Sequence, residues 1–133
     1  MLSGPVTDDI AFRLSADWLS WQSFVKGWES FPTVDDPRDF ESVMLRGKLL
    51  FEPKSIPGWR TLLTLNRSDY EGPQTENVDR PFGDHSTSFA FEPVFEPKTT
   101  SVIVDSRYAL SSKLSVEGVL SGTDLSVKRN QVA

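Results

Sequence analysis

The chain has no cysteine and a single histidine, His85. The first absence removes thiolate nucleophiles, disulfide frameworks and zinc sites built with sulfur ligands, and it leaves the redox compartment open. The second thins the options for acid–base catalysis. Basic residues are in deficit too: 14 Lys and Arg stand against 19 Asp and Glu, a net charge of −5. With no basic run or Arg-rich stripe to neutralise phosphates, nucleic acid is not expected as a partner. Long hydrophobic runs are missing as well. No uninterrupted apolar stretch exceeds three residues, as in Val43-Met44-Leu45 and Val102-Ile103-Val104, whereas a transmembrane helix needs about 20 predominantly apolar residues. The opening, Met1 to Asp9, lacks both a basic start and an apolar stretch, so no signal peptide is read there. The expectation is a cytoplasmic chain or one whose natural N-terminus is missing.

What is present suits one ordered domain: 133 residues, 38% hydrophobic and 25% charged. Prolines and glycines fall between stretches in which apolar and polar residues alternate, the period of pleated strands. Five strands are predicted. The first, from about Ile10 to Ser20, sets Ile10, Phe12, Leu14, Ala16 and Trp18 against Arg13, Ser15 and Asp17. The second, Ser42 to Glu52, sets Val43, Leu45, Gly47, Leu49 and Phe51 against Met44, Arg46, Lys48 and Glu52. The third is Trp59 to Ser68, the fourth Ser101 to Ala109, and the fifth Leu114 to about Lys128. The connections alternate between long (Trp21 to Glu41, Asp69 to Thr100) and short (Pro53 to Gly58, Leu110 to Lys113). Loops sorted by end in this way suit an up-and-down barrel of the outer-membrane kind, with an apolar stripe towards lipid and a polar face towards a wet interior. Trp18, Trp59 and Tyr108 lie near strand ends, where amphipathic rings favour the membrane interface. The first two stretches also fit helices, since Ile10, Leu14, Trp18, Trp21 and Val25 recur at helical spacing, and Asp36-Pro37-Arg38-Asp39 before Phe40 and Val43 reads as a helix start.

Segments in chain order carry a resemblance that favours strands. Ser3-Gly4-Pro5-Val6-Thr7-Asp8-Asp9-Ile10-Ala11-Phe12-Arg13-Leu14-Ser15-Ala16 resembles a recurrent stretch of TonB-dependent outer-membrane receptors, a Gly-Pro periplasmic turn leading into a strand. Leu45 to Pro53 resembles that family's strand descending into a short turn, and Trp59 to Tyr70 the strand climbing out of it. Ser106 to Ser115 is similar to the family's Tyr-x-Leu turn, and Lys128-Arg129-Asn130 to the basic end of the strand that follows. The resemblance implies an all-β fold: about five antiparallel up-and-down strands forming an open, curved segment of a larger transmembrane β-barrel. Family members have a plug domain inside a barrel of about 22 strands. This chain shows no plug, no TonB box and no terminal aromatic, so residues 1–133 are expected to be an internal piece of a longer receptor.

The implied function is active uptake of a scarce solute such as a ferric siderophore across a bacterial outer membrane, energised through TonB acting on the missing plug. The implied partners are outer-membrane lipid and the rest of the same receptor. Trp28, Phe31, Tyr70, Phe89 and Phe91, in the two long loops, are then candidates for substrate contact. Arg13, Arg46, Arg60 and Arg107 are candidates for the lumenal face, along with Lys48, Asp105 and Glu117.

No enzyme and no cofactor are expected. Asp84-His85-Ser86 brings an acid, a base and a hydroxyl together in sequence, but no Gly-x-Ser-x-Gly elbow occurs, and a solvated loop is the simpler reading. The acidic residues of the second long loop, such as Asp69, Glu71, Glu76, Asp79 and Asp84, lack the order of a calcium loop. Adjacent Asp35 and Asp36 do not supply the separation that glycoside hydrolysis needs. Gly83, Gly118 and Gly122 stand outside any phosphate-binding pattern. The competing expectation is a soluble α+β or β-sandwich binding module, in which the stripe of Leu63, Leu65, Val102, Val104, Val116 and Leu120 covers a private core.

Overall fold

The computed structural model describes residues 1–24, 39–73, 78–86 and 94–129. Six strands follow one another: β1 (Leu2–Pro5), β2 (Ile10–Gln22), β3 (Asp39–Phe51), β4 (Trp59–Pro73), β5 (Val94–Ser111) and β6 (Leu114–Arg129), with a 3-10 turn at Phe82–Asp84. They hydrogen-bond in chain order, each antiparallel to the next, so the sheet is up-and-down and open, with β1 and β6 at its edges.

The all-β antiparallel expectation therefore holds, and the count rises from five to six. The additional strand is β1, in which Leu2 pairs with Leu14 and Pro5 with Ala11. Its Gly4-Pro5 pair reads as a turn in the sequence, yet an edge strand tolerates proline because one side of it needs no N–H donor. The turn itself comes later, where Val6 N–H donates to the Ile10 carbonyl at 2.8 Å. The helical alternative for the first two stretches fails: both are strands, of 13 residues each. Pairing with neighbours on both sides outweighs helix propensities that differ by less than about 1 kcal/mol per residue. β4 and β5 also run further than expected, to Pro73 and from Val94, into the stretch read as the second long loop.

The chain divides into two compact units, one of Met1–Asp17, Met44–Ser68 and Thr99–Leu125, the other of Trp18–Val43, Asp69–Lys98 and Ser126–Ala133. In the first, the tight turns are stitched side by side. Glu52 N–H donates to the Asp9 carbonyl at 2.8 Å, Lys54 N–H to Asp9 Oδ1 at 3.0 Å, and Lys54 Nζ reaches Asp8 Oδ2 at 3.0 Å. On the other side of the same turn, Ala109 N–H donates to the Gly58 carbonyl at 2.9 Å. From that pair outward β4 and β5 keep one register. Thr61 meets Ser106, Asn66 meets Ser101 and Arg67 meets Thr100, each step along one strand matched by a step back along the other.

The second unit is organised by aromatic rings. Trp21 stacks on Phe40 at 4.9 Å and 12°, Tyr70 sets its edge to Phe40 at 6.4 Å, and Phe95 meets Tyr70 at 6.1 Å. Phe40 is 7% exposed, the one fully buried large hydrophobic among the described residues. Beside it Gly72 permits the close approach, since a Cβ there would lie 2.9 Å from the Phe40 ring.

The turn closing β3 on β4 depends on Gly58, whose φ of +87° is one that L side chains rarely adopt. A Cβ at that position would sit 3.0 Å from the Ala109 Cβ. Gly58→Ala is expected to cost about 1–2 kcal/mol and lower the urea midpoint of the strand signal in circular dichroism. Adding Ala109→Gly should restore part of the loss by relieving the contact while the backbone strain remains.

Candidate functional site

Alternation along the paired strands sorts the side chains of the first unit onto two faces. One face carries Leu14, Leu45, Leu49, Leu65, Val102, Leu114, Val116 and Leu120, all exposed, with Leu120 at 74%. Its few polar groups pair with each other: Thr61 and Ser106 share a hydrogen bond of 2.9 Å, Trp59 Nε1 donates to Ser106 Oγ at 3.2 Å, and Arg67 donates to Thr100 at 2.9 Å. At the turn end of this face Trp59 also sets its ring against Phe51, edge to face at 5.6 Å.

The opposite face is polar. Arg46 Nε donates to Asn66 Oδ1 at 2.7 Å and Asn66 Nδ2 to Ser101 Oγ at 3.1 Å, a chain of side chains that ties β3, β4 and β5 together. Arg60 Nε lies 3.2 Å from Glu52 Oε1, an exposed pair of modest strength. Arg107 donates to Ser115 at 3.5 Å, at the limit of a hydrogen bond. Arg13, Lys48 and Arg60 line one open groove of about 550 Å³, and Arg60, Asp105, Arg107 and Glu117 line a smaller hollow of about 100 Å³. The four arginines read as lumenal candidates, Arg13, Arg46, Arg60 and Arg107, thus share this face, and the structure brings Arg13 together with Arg60 and Arg60 with Arg107.

The aromatic candidates fare differently. Trp28, Phe31, Phe89 and Phe91 lie outside the described residues. Tyr70 is not in a loop but within β4, half-buried among Trp21, Phe40 and Phe95, so its ring organises the second unit. The sequence reading missed this cluster because its members lie on four different strands. The usable signal was the position of Trp21 and Phe40 at the facing ends of β2 and β3. His85 is exposed, with a left-handed φ of 50°, and packs edge-on against Phe24 at 5.3 Å. Among the described residues no cluster of His, Asp and Glu has metal-binding geometry.

No family model matches the chain, and no solved structure matches it.

The Arg46–Asn66–Ser101 chain gives the polar face a measurable energy. Asn66→Ala is expected to destabilise the sheet by about 1–2 kcal/mol, the net worth of two side-chain hydrogen bonds of which one involves a charge. A double-mutant cycle of Asn66→Ala with Ser101→Ala in urea unfolding should return a coupling of about 1 kcal/mol. Strict additivity would show that the bond between them contributes nothing.

Proposed function

We propose that this chain forms part of the wall of a transmembrane β-barrel of the TonB-dependent receptor type, which moves a scarce solute such as a ferric chelate inward across a bacterial outer membrane. The exposed apolar face of the first unit carries the proposal. Among the described residues no second layer covers Leu14, Leu45, Leu65, Val116 and Leu120, and soluble domains bury such a face against another element. Lipid is a cover that needs no second layer.

Other observations support the reading. β2 to β6 are 13 to 18 residues long, beyond the 9–11 or so that a tilted strand needs to cross the hydrocarbon. Hydroxyl and indole groups on the apolar face pair among themselves, as backbone and side-chain polar groups must where water is absent. Trp59 and Tyr108 sit on that face close to the tight turns, where interfacial aromatics form a girdle. Six strands fall short of the eight or so that the smallest such barrels use, so further strands of the same receptor complete the wall. In this reading the polar face looks into the lumen, and TonB acts through a plug. The type of receptor and its solute rest on the resemblance.

The untagged chain is expected to collect in inclusion bodies and to gain strand signal in far-UV circular dichroism only when refolded with detergent or lipid. A soluble monomer that unfolds cooperatively in plain buffer would sink the proposal in favour of a binding module with a private core. In lipid vesicles, Leu63→Arg or Val104→Arg should cost about 2–4 kcal/mol, the penalty for a cation on a lipid-facing strand near mid-membrane. Thr64→Lys, one residue along on the polar face, should cost less than about 1 kcal/mol.

A further inference from the structure

An open trough of about 710 Å³ lies on the apolar face of the first unit, where Leu14, Leu45 and Leu65 stand around Gly47, with Arg67 and Thr100 at its β4–β5 end. Gly47 makes its floor, since no side chain rises there between the leucines; a Cβ at that position would meet Leu14 Cδ2 at 3.5 Å. Among the described residues no acid lines the trough. Arg46 and Asn66 border it, but their side chains bond each other on the polar face. Arg67 is exposed, and its Nη1 donates to Thr100 Oγ1 at 2.9 Å, a bond that steadies the guanidinium at the rim. The Thr100 hydroxyl, accepting from Arg67, still has its own proton to give. A planar fork of N–H donors and a hydroxyl beside an apolar trough match an anion with several acceptor oxygens joined to a hydrocarbon chain.

We infer that this trough seats an anionic phospholipid of the surrounding bilayer, with its phosphate on Arg67 and Thr100 and one acyl chain over Gly47 between Leu14, Leu45 and Leu65. The inference rests on the barrel wall proposed above, because there this face meets lipid. The depth of Arg67 agrees with it. Trp59 and Arg67 are eight residues apart on the same face of β4, about 26 Å of strand at ~3.3 Å per residue and about 20 Å of depth at a tilt of about 40°. With Trp59 at one interface, the long arginine stem reaches the other across an apolar band about 25 Å tall. A neutral lipid would fill the trough without meeting the fork, and free phosphate would meet the fork without filling the trough.

The test is native mass spectrometry of the full chain refolded in micelles, with dioleoyl phosphatidylglycerol, dioleoylglycerol or glycerol phosphate added in turn. Strand signal in circular dichroism, read before any lipid is added, establishes that the parent and each variant are folded. The parent is expected to retain one phosphatidylglycerol about fivefold more often than one dioleoylglycerol. Arg67→Gln should abolish that preference and Arg67→Lys should keep part of it. Gly47→Val, which raises a branched side chain from the floor, should lower retention of both lipids, and Lys113→Gln, in the β5–β6 turn, should match the parent. Equal retention of the two lipids by the parent, or an undiminished preference in Arg67→Gln, overturns the inference. Glycerol phosphate displacing the phospholipid at equal concentration overturns the lipid occupant, and a mass of two chains with no lipid retained gives the trough to a second copy instead. A chain that folds as a soluble monomer in plain buffer overturns the barrel reading and this site with it, whereas one that folds only in micelles and shows no preference overturns the site alone.

Discussion

A sheet one layer thick imposes the constraint on which the rest of this structure depends. Its backbone hydrogen bonds are satisfied sideways, by neighbouring strands, while its side chains emerge alternately on two faces, neither of which carries a second layer among the described residues. In the first unit that alternation gathers leucines and valines on one face and most of the arginines and lysines on the other, with Thr61, Ser106, Arg67 and Thr100 as the paired exceptions on the first and Leu50 and Leu62 on the second. Among the described residues Phe40 is the only large hydrophobic that is fully buried, so stability here does not come from a core of the usual kind. It comes from the ladder itself, from cross-strand pairs such as Thr61 with Ser106, and from whatever medium covers the apolar face. A medium that excludes water from one face and admits it to the other satisfies both at once.

The two units are held together by different means. In the first unit, Asp9 and Gly58 place backbone bonds on both sides of the Pro53 to Gly58 turn, which locks three hairpin connections into one rim. In the second unit, Trp21, Phe40, Tyr70 and Phe95 pack ring against ring on four successive strands. Tyr70 belongs to that packing, and its ring holds neighbouring strands together. Within the first unit the short turns fix strand register through backbone bonds, and within the second the packed rings fix it through side chains.

Much of the fold was legible in the sequence because alternation is a local signal: β4, β6 and the Ser101 to Ala109 part of β5 can each be seen in their own residues, whereas the β2 and β3 stretches fit helical spacing as well until neighbouring strands pair with them. What was not legible depended on partners. β1 is four residues long and ends in Gly4-Pro5, so nothing within it marks a strand until Leu14 and Ala11 are there to pair with it. The extensions of β4 to Pro73 and of β5 back to Val94 run through Gly72, Pro73 and Pro97, residues that punctuate loops unless a neighbouring strand holds them. The grouping of Arg13, Lys48 and Arg60 was half legible. Periodicity put them on one face, but only the register of three strands puts them around one groove.

β6 sets the sharpest demand at the edge of the sheet. It is 16 residues long, exposed throughout, and paired on one side only. Edge strands of soluble proteins are kept short or protected by proline, bulges or inward-pointing charge, because a bare row of N–H and C=O groups recruits other strands. β6 has no proline, and its basic residues, Lys128 and Arg129, come only at its end, where Lys128 is engaged with Glu96 at 2.9 Å. Valines and leucines occupy the middle, at Val116, Val119, Leu120 and Leu125. A free edge of that length and composition invites pairing with another strand; Val116 and Leu120 lie on the face of Leu65 and Val102, while Val119 and Leu125 alternate onto the other. In the proposed barrel, closure would satisfy this edge and lipid would cover the apolar face, two demands that a free-standing sheet leaves unmet.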